Sequence, residues 1–189
     1  SSSGSTGEPF YFPRSQQLEW EASIIHEIFI QNSSVKTGGP VLIIIGFGMG
    51  AWIGGLMTYK AFEILSHRGC NISIITPGII KTEIFHALKK LAPHYHETIL
   101  AGYPPFVKDI IDEAPGHGIN LKKLNIRILT AAEAYTEKFR EYLVKRAAIK
   151  NSYLDTLNIY GTADIGTMAW ETPISILIRR IAVKHRPVF

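Results

Sequence analysis

The stretch from Val41 to Tyr59 constrains the fold more than any other. Its 19 positions hold no charged residue, close to the number a helix needs to cross a bilayer. Gly46, Gly48, Gly50, Gly54 and Gly55 interrupt it, however. Ahead of them, Val41-Leu42-Ile43-Ile44-Ile45 is a short β-branched run of the kind found in strands buried on both faces, and from Ala51 onward the composition suits a helix. The stretch therefore predicts a strand, a glycine turn and a helix rather than a membrane span.

The same rhythm continues along the chain. Gln16 to Gln31 predicts an amphipathic helix whose apolar face includes Leu18, Ile24, Ile25 and Ile28. Residues 71–76 predict a strand stopped by Pro77-Gly78, and 80–91 a helix. Thr98-Ile99-Leu100 is a short strand leading into Gly102-Tyr103-Pro104-Pro105, with a helix opening over 106–111. Residues 124–130 then predict a strand, 135–149 a helix, 156–160 a strand broken by Gly161, and 173–183 a last helix; Phe10-Tyr11-Phe12 is also strand-like. Strands alternating with helices imply βαβ crossovers, hence an α/β fold with a mostly parallel sheet covered on both faces. Ligands of such sheets collect at the carboxyl ends of the strands. With no internal repeat or long linker, residues 1–189 form one α/β portion.

Charge narrows the function classes. The net charge is +4 and the basic residues run no further than pairs such as Lys89-Lys90 and Arg179-Arg180, which argues against nucleic acid as a partner. The single cysteine, Cys70, permits no internal disulfide and suits a reducing compartment. A polar amino-terminal stretch and the glycine-broken apolar run together predict a cytoplasmic protein with no membrane partner.

Several short motifs carry chemistry. Gly46-Phe47-Gly48-Met49-Gly50-Ala51 matches the dinucleotide pattern G-x-G-x-x-A between a strand and a helix, but the next strand ends Ile75-Thr76-Pro77-Gly78, without the acid that would hold a ribose. Close packing or a ligand-lined turn is the better reading. His94 and His96 lack further ligands at metal-site spacing. There is neither a G-x-S-x-G elbow nor a Gly-Lys-Ser/Thr phosphate loop. The opening Ser1-Ser2-Ser3-Gly4-Ser5-Thr6-Gly7 supports two readings, a loop whose N–H and hydroxyl donors wrap polyphosphate, or a linker or tag remnant. Ala131-Ala132-Glu133-Ala134, after a strand, would let a flat ring approach the backbone. Tyr160-Gly161-Thr162-Ala163-Asp164 offers an aromatic face, a turn, a hydroxyl and a carboxylate suited to Mg²⁺.

In this order and spacing, the set resembles the adenylate-forming acyl- and aryl-CoA ligases, most closely the phenylacetate–CoA ligase branch. Ser3-Gly4-Ser5-Thr6-Gly7-Glu8-Pro9 is similar to that branch's phosphate loop, S-G-[ST]-T-G-x-P. Ala131 to Ala134 is similar to its adenine-side G-A-E-P, and Tyr160 to Asp164 to its Y-G-x-[ST]-E. Gly102-Tyr103-Pro104-Pro105 stands where the branch has a loop beside the acyl site.

The resemblance implies an acid–thiol ligase that joins a carboxylic acid to ATP as an acyl-adenylate and then passes the acyl group to CoA. It implies phosphate contacts from Ser3, Gly4, Ser5, Thr6 and Gly7, and nucleotide contacts from Ala132, Glu133, Ala134, Tyr160, Gly161 and Thr162. Asp164 would ligate Mg²⁺, with Thr162 beside it in the catalytic set. Phe47, Gly48, Trp52 and Ala131 would line the acid pocket. Asp164 replaces the branch's usual Glu, Ala163 its Ser/Thr, and Ala131 and Ala134 its Gly and Pro. The chain starts inside the phosphate loop and lacks a later T-G-D segment and a lysine-bearing domain, so the resemblance implies an internal portion of the large AMP-binding domain; it admits a homodimer. The alternative from another class is a noncatalytic α/β module that binds a nucleotide or small acid.

Overall fold

The structure is a computed structural model and describes residues 7–8, 10–35, 38–50 and 53–185. Six strands form one sheet: β1 (Val41–Gly46), β2 (Ile72–Ile75), β3 (Glu97–Gly102), β4 (Ile126–Ala131), β5 (Thr156–Thr162) and β6 (Gly166–Trp170). Their spatial order is β2-β1-β3-β4-β5-β6; the first five run parallel and β6 pairs antiparallel with β5. Among the described residues, six α-helices accompany them: α1 (Gln16–Gln31), α2 (Ile53–His67), α3 (Lys81–Lys90), α4 (Pro104–Glu113), α5 (Glu137–Ala147) and α6 (Pro173–Lys184). The stretch from Val41 is thus a strand and a helix. Among the described residues, no helix is long and apolar enough to cross a membrane.

Strand alternation divides the core in two. Leu42 and Ile44 of β1 pack with Leu100, Ile126 and Ile128 against Ile84 and Leu88 of α3, Val107 and Ile110 of α4 and Leu143 of α5. Val41, Ile43 and Ile45 point the other way, packing with Ile99 and Leu129 against Ile25 and Phe29 of α1 and Phe62 and Leu65 of α2. All six β1 residues are buried, which is why the run is continuously apolar instead of alternating. The carboxyl ends of β1 and β3, where the winding reverses direction, are the switch point at which doubly wound sheets bind ligands.

Three expectations are corrected. The buried stripe of α1 runs through Ala22, Ile25, His26 and Phe29, while Ile28 is exposed. The helix rests against α2 as well as the sheet, and that second contact rotates its apolar face. Phe10-Tyr11-Phe12 forms no strand and is exposed. Gly161 does not end β5: the strand continues to Thr162 and turns back as β6, with a register shift between Tyr160 and Gly161.

Candidate active site

Gly46 and Gly102 end β1 and β3 side by side in register. A Cβ on Gly46 would lie 3.2 Å from both the Ala101 carbonyl and Phe106, and one on Gly102 3.0 Å from Val107. Missing side chains here let the strand ends and α4 close up beneath a cavity of about 1250 Å³. Phe47, Gly48 and Met49 form one wall with Ile53 and Met57 of α2. The loop after β2, Thr76 to Ile80, closes that side; its Gly78 N–H donates to the Ile45 carbonyl at 3.0 Å. Leu129 and Ile159 lie on the floor, Tyr103 and Phe106 at the β3 end, and Ala22 and His26 of α1 on the remaining side.

Two polar clamps fix the rim. Buried Thr130 Oγ1 donates to the Leu157 carbonyl at 3.1 Å and lies 3.0 Å from Asn158 Oδ1. Asn158 Nδ2 in turn donates to the Glu133 carbonyl at 3.0 Å. The Asn158 bond holds the turn after β4, in which Ala132 takes a left-handed φ of 76°. The Glu133 carboxylate hydrogen-bonds the exposed Tyr103 hydroxyl, which raises the phenol pKa. At the hairpin, Arg14 Nη2 donates to the Ala163 carbonyl at 3.1 Å, and Thr162 Oγ1 donates to Asp164. That hydroxyl, together with backbone N–H groups, holds the Asp164 carboxyl below its usual pKa.

The cavity brings together Phe47, Gly48, Ala131, Ala132, Gly161 and Thr162 from widely separated parts of the sequence. Glu133, Ala134, Tyr160 and Asp164 are not among its lining residues. Tyr160 is 62% exposed; strand alternation sends it to the face opposite Ile159, whereas the register shift leaves Gly161 and Thr162 bordering the cavity. Asp164 is fully exposed on the hairpin turn. Of the resemblance's phosphate loop, Gly7 and Glu8 are exposed, while Ser3, Gly4, Ser5, Thr6 and Pro9 lie outside the described residues. Trp52 lies outside them as well.

Sequence reasoning missed His26. A lone histidine between Ile25 and Phe29 carries little signal, and the ring's burial depends on α1 lying against α2. The available hint was its place on the apolar side of a helix. Among the described residues, no group of three or more His, Cys, Asp or Glu could hold a metal ion. Magnesium keeps most of its waters and takes one or two carboxylates beside substrate phosphates. A single ionised Asp164, on the hairpin turn whose Ala163 and Gly166 line the cavity, meets that modest requirement.

Compared with protein-family models and with curated proteins, the sequence matches none. Solved structures do match. An open conformation of 2-hydroxyisobutyryl-CoA ligase in complex with 2-HIB-AMP and CoA aligns with a TM-score of 0.64 at 11% identity, covering 88% of this chain and 37% of that one. The same ligase in its thioesterification state aligns at 0.64 and 12% identity, covering 86% and 32%. A mutant form of coronafacic acid ligase from Pectobacterium brasiliense aligns at 0.54 and 14% identity, covering 83% and 28%. The first two are structures of a CoA ligase and the third is of an acid ligase, and at such identities the likeness is one of fold. The mixed α/β architecture with its mostly parallel sheet is shared with them; the chain spans about a third of their length.

Proposed function

We propose that the chain is the acid- and nucleotide-binding portion of an ATP-dependent acid–CoA ligase that works through an acyl-adenylate, as in phenylacetate–CoA ligases. One observation carries the reading. The cavity at the strand ends is bordered jointly by Phe47, Gly48 and Ala131, which the resemblance assigns to the acid, and by Ala132, Gly161 and Thr162, which it assigns to the nucleotide. The fold shared with ligases solved as complexes with 2-HIB-AMP and CoA supports it.

In this reading the apolar walls at Phe47, Met57 and Ile159 take the acid's hydrocarbon portion and exclude water. Ala131 leaves room for a flat acid, and adenine lies against the turn at Ala132, whose short side chain and left-handed backbone admit a flat ring. Thr162 and Asp164 stand at the phosphate side. Bringing carboxylate and α-phosphate together in a water-poor cavity is the protein's main service to the transfer. Asp164 would hold Mg²⁺, which when bound neutralises phosphate charge.

Isothermal calorimetry on the chain tests the reading. Mg-ATP binding is expected, with at least a tenfold loss in Asp164→Ala and no binding of NAD. Binding of NAD with indifference to Asp164, or no nucleotide binding at all, refutes it.

A further inference from the structure

Among the described cavity-lining residues that the resemblance does not name, His26 carries a buried side-chain atom without a hydrogen-bond partner. The residue is 3% exposed. Its Nδ1 lies 2.7 Å from the Ala22 carbonyl; a carbonyl oxygen only accepts, so Nδ1 carries the proton. The neutral ring then has its lone pair on Nε2. That atom is buried and has no hydrogen-bond partner among the described residues. The ring is held edge-on to Phe62, with centroids 4.8 Å apart. Burial pushes its pKa down to about 4, so the lone pair is retained at neutral pH. The buried hydroxyl of Thr58, which also lines the cavity, donates to the Gly54 carbonyl at 2.9 Å and not to Nε2.

A buried acceptor without a donor carries a desolvation penalty, and such groups in folded proteins call for an explanation. Nε2 is closed off from the cavity, so a ligand supplies the donor where its binding displaces the side chains that cover the ring. Resting on the acid-binding reading above, we propose that His26 determines specificity: its Nε2 accepts a hydrogen bond from a hydroxyl on the acid's hydrocarbon portion, making the preferred substrates hydroxylated carboxylic acids. The carboxylate itself cannot serve, since an ionised carboxylate only accepts. An acid without the hydroxyl fills the same space but leaves Nε2 unpaired, and sites of this kind discriminate strongly against the analogue that lacks the group.

The test compares matched pairs by calorimetry on the chain with Mg-ATP present: phenylacetate against 4-hydroxyphenylacetate, and butyrate against its 2-, 3- and 4-hydroxy derivatives. At least one hydroxylated member is expected to bind about tenfold more tightly than its parent, in keeping with one buried hydrogen bond. His26→Phe is expected to bring that ratio to about one. In the wild-type chain, ¹⁵N NMR gives a readout that needs no variant: the Nε2 resonance moves upfield from its acceptor-type position with the hydroxylated acid and not with the parent. An unchanged ratio in His26→Phe, equal binding of every pair, absence of acid binding, or an unmoved Nε2 resonance overturns the proposal. Mg-ATP titrated alone separates the two readings. Nucleotide binding with no hydroxyl preference defeats the role of His26 only; hydroxyl preference without nucleotide binding defeats the ligase reading only.

Discussion

Burying His26 as a neutral ring has a consequence for stability that can be worked out in advance. Desolvation lowers its pKa from 6.5 to about 4 in the folded chain, outweighing the opposing effect of the bond to the Ala22 carbonyl. Above pH 6.5 both states are neutral at this position and the ring's titration contributes nothing. Between pH 6.5 and about 4 the unfolded chain takes up a proton that the folded chain refuses, so stability falls as pH falls; below about 4 both states are protonated and the loss levels off. A shift of this size is worth about 2 kcal/mol by pH 5 and about 3 kcal/mol by pH 4, against a total stability of about 5–15 kcal/mol for a typical domain. Urea unfolding at pH 7, 6, 5 and 4 measures it, with His26→Phe as the reference that cancels titration of groups the two proteins share. The wild type is expected to lose about 2 kcal/mol relative to the variant between pH 7 and 5, at unchanged m. Parallel stability curves would show that the folded ring protonates as it does in water, which would refute both its burial and the fixed acceptor at Nε2.

Three further outcomes follow from named contacts. Arg127 is buried, with Glu97 and Asp155 at 3.6 and 3.4 Å and its guanidinium 4.0 Å from the Phe29 ring centroid. Arg127→Met should cost about 3–5 kcal/mol in urea unfolding, because two carboxylates lose their buried counter-charge, and adding Glu97→Gln with Asp155→Asn should recover most of it. A Cβ on Gly161 would meet the Gly166 carbonyl oxygen at 2.4 Å, so Gly161→Ala should open the β5–β6 pairing, cost about 1–3 kcal/mol and speed amide exchange from Tyr160 to Trp170. A Cβ on Gly55 would lie 2.3 Å from Met49 Sδ and 2.7 Å from the Gly48 carbonyl oxygen. Gly55→Ala should push the turn away from α2 and weaken acid binding at least tenfold in calorimetry, with Mg-ATP affinity kept.

How far the sequence could be read follows from the range of the forces involved. The helix predicted over Gln16 to Gln31 is α1 to the residue, because Ser15 caps its N-terminus and the apolar spacing is local. The strand expected from Val41 ends one residue later, at Gly46. Which face of α1 is buried was not legible, since Ile24 and Ile28 are as apolar as Ile25 and Phe29, and only the position of α2 chooses between them. Strand β6 escaped notice because Gly-Thr-Met-Ala-Trp is short and mixed in character; it is a strand because β5 offers it an open edge. In the same way Phe47, Gly48, Ala131 and Thr162 were identifiable as motif members, but the cavity they share with His26 exists only after the strands are ordered β2-β1-β3-β4-β5.

The hairpin shows most clearly why a motif's residues are not placed by the motif alone. At its base, the Glu171 N–H donates to the Asn158 carbonyl and the Asn158 N–H donates to Glu171 Oε2, both at 3.0 Å. The same carboxylate takes Arg140 Nη2 of α5 at 2.5 Å and Arg179 of α6. Glu137 completes the group, with Arg140 Nε at 3.0 Å and Arg180 Nε at 3.1 Å. Two largely buried carboxylates are thereby matched by three guanidinium groups, the arrangement in which buried charge is tolerated. At the tip, the Arg14 bond to the Ala163 carbonyl anchors the turn from the segment leading into α1. Between these anchors, the register shift at Tyr160/Gly161 decides which side chains border the cavity. Thr162 does so and Tyr160 does not, although both belong to one short motif. The positions of Thr162 and Asp164 therefore depend on Arg14, Arg140 and Glu171, residues that no catalytic signature would include and that hold the site from opposite ends of the hairpin.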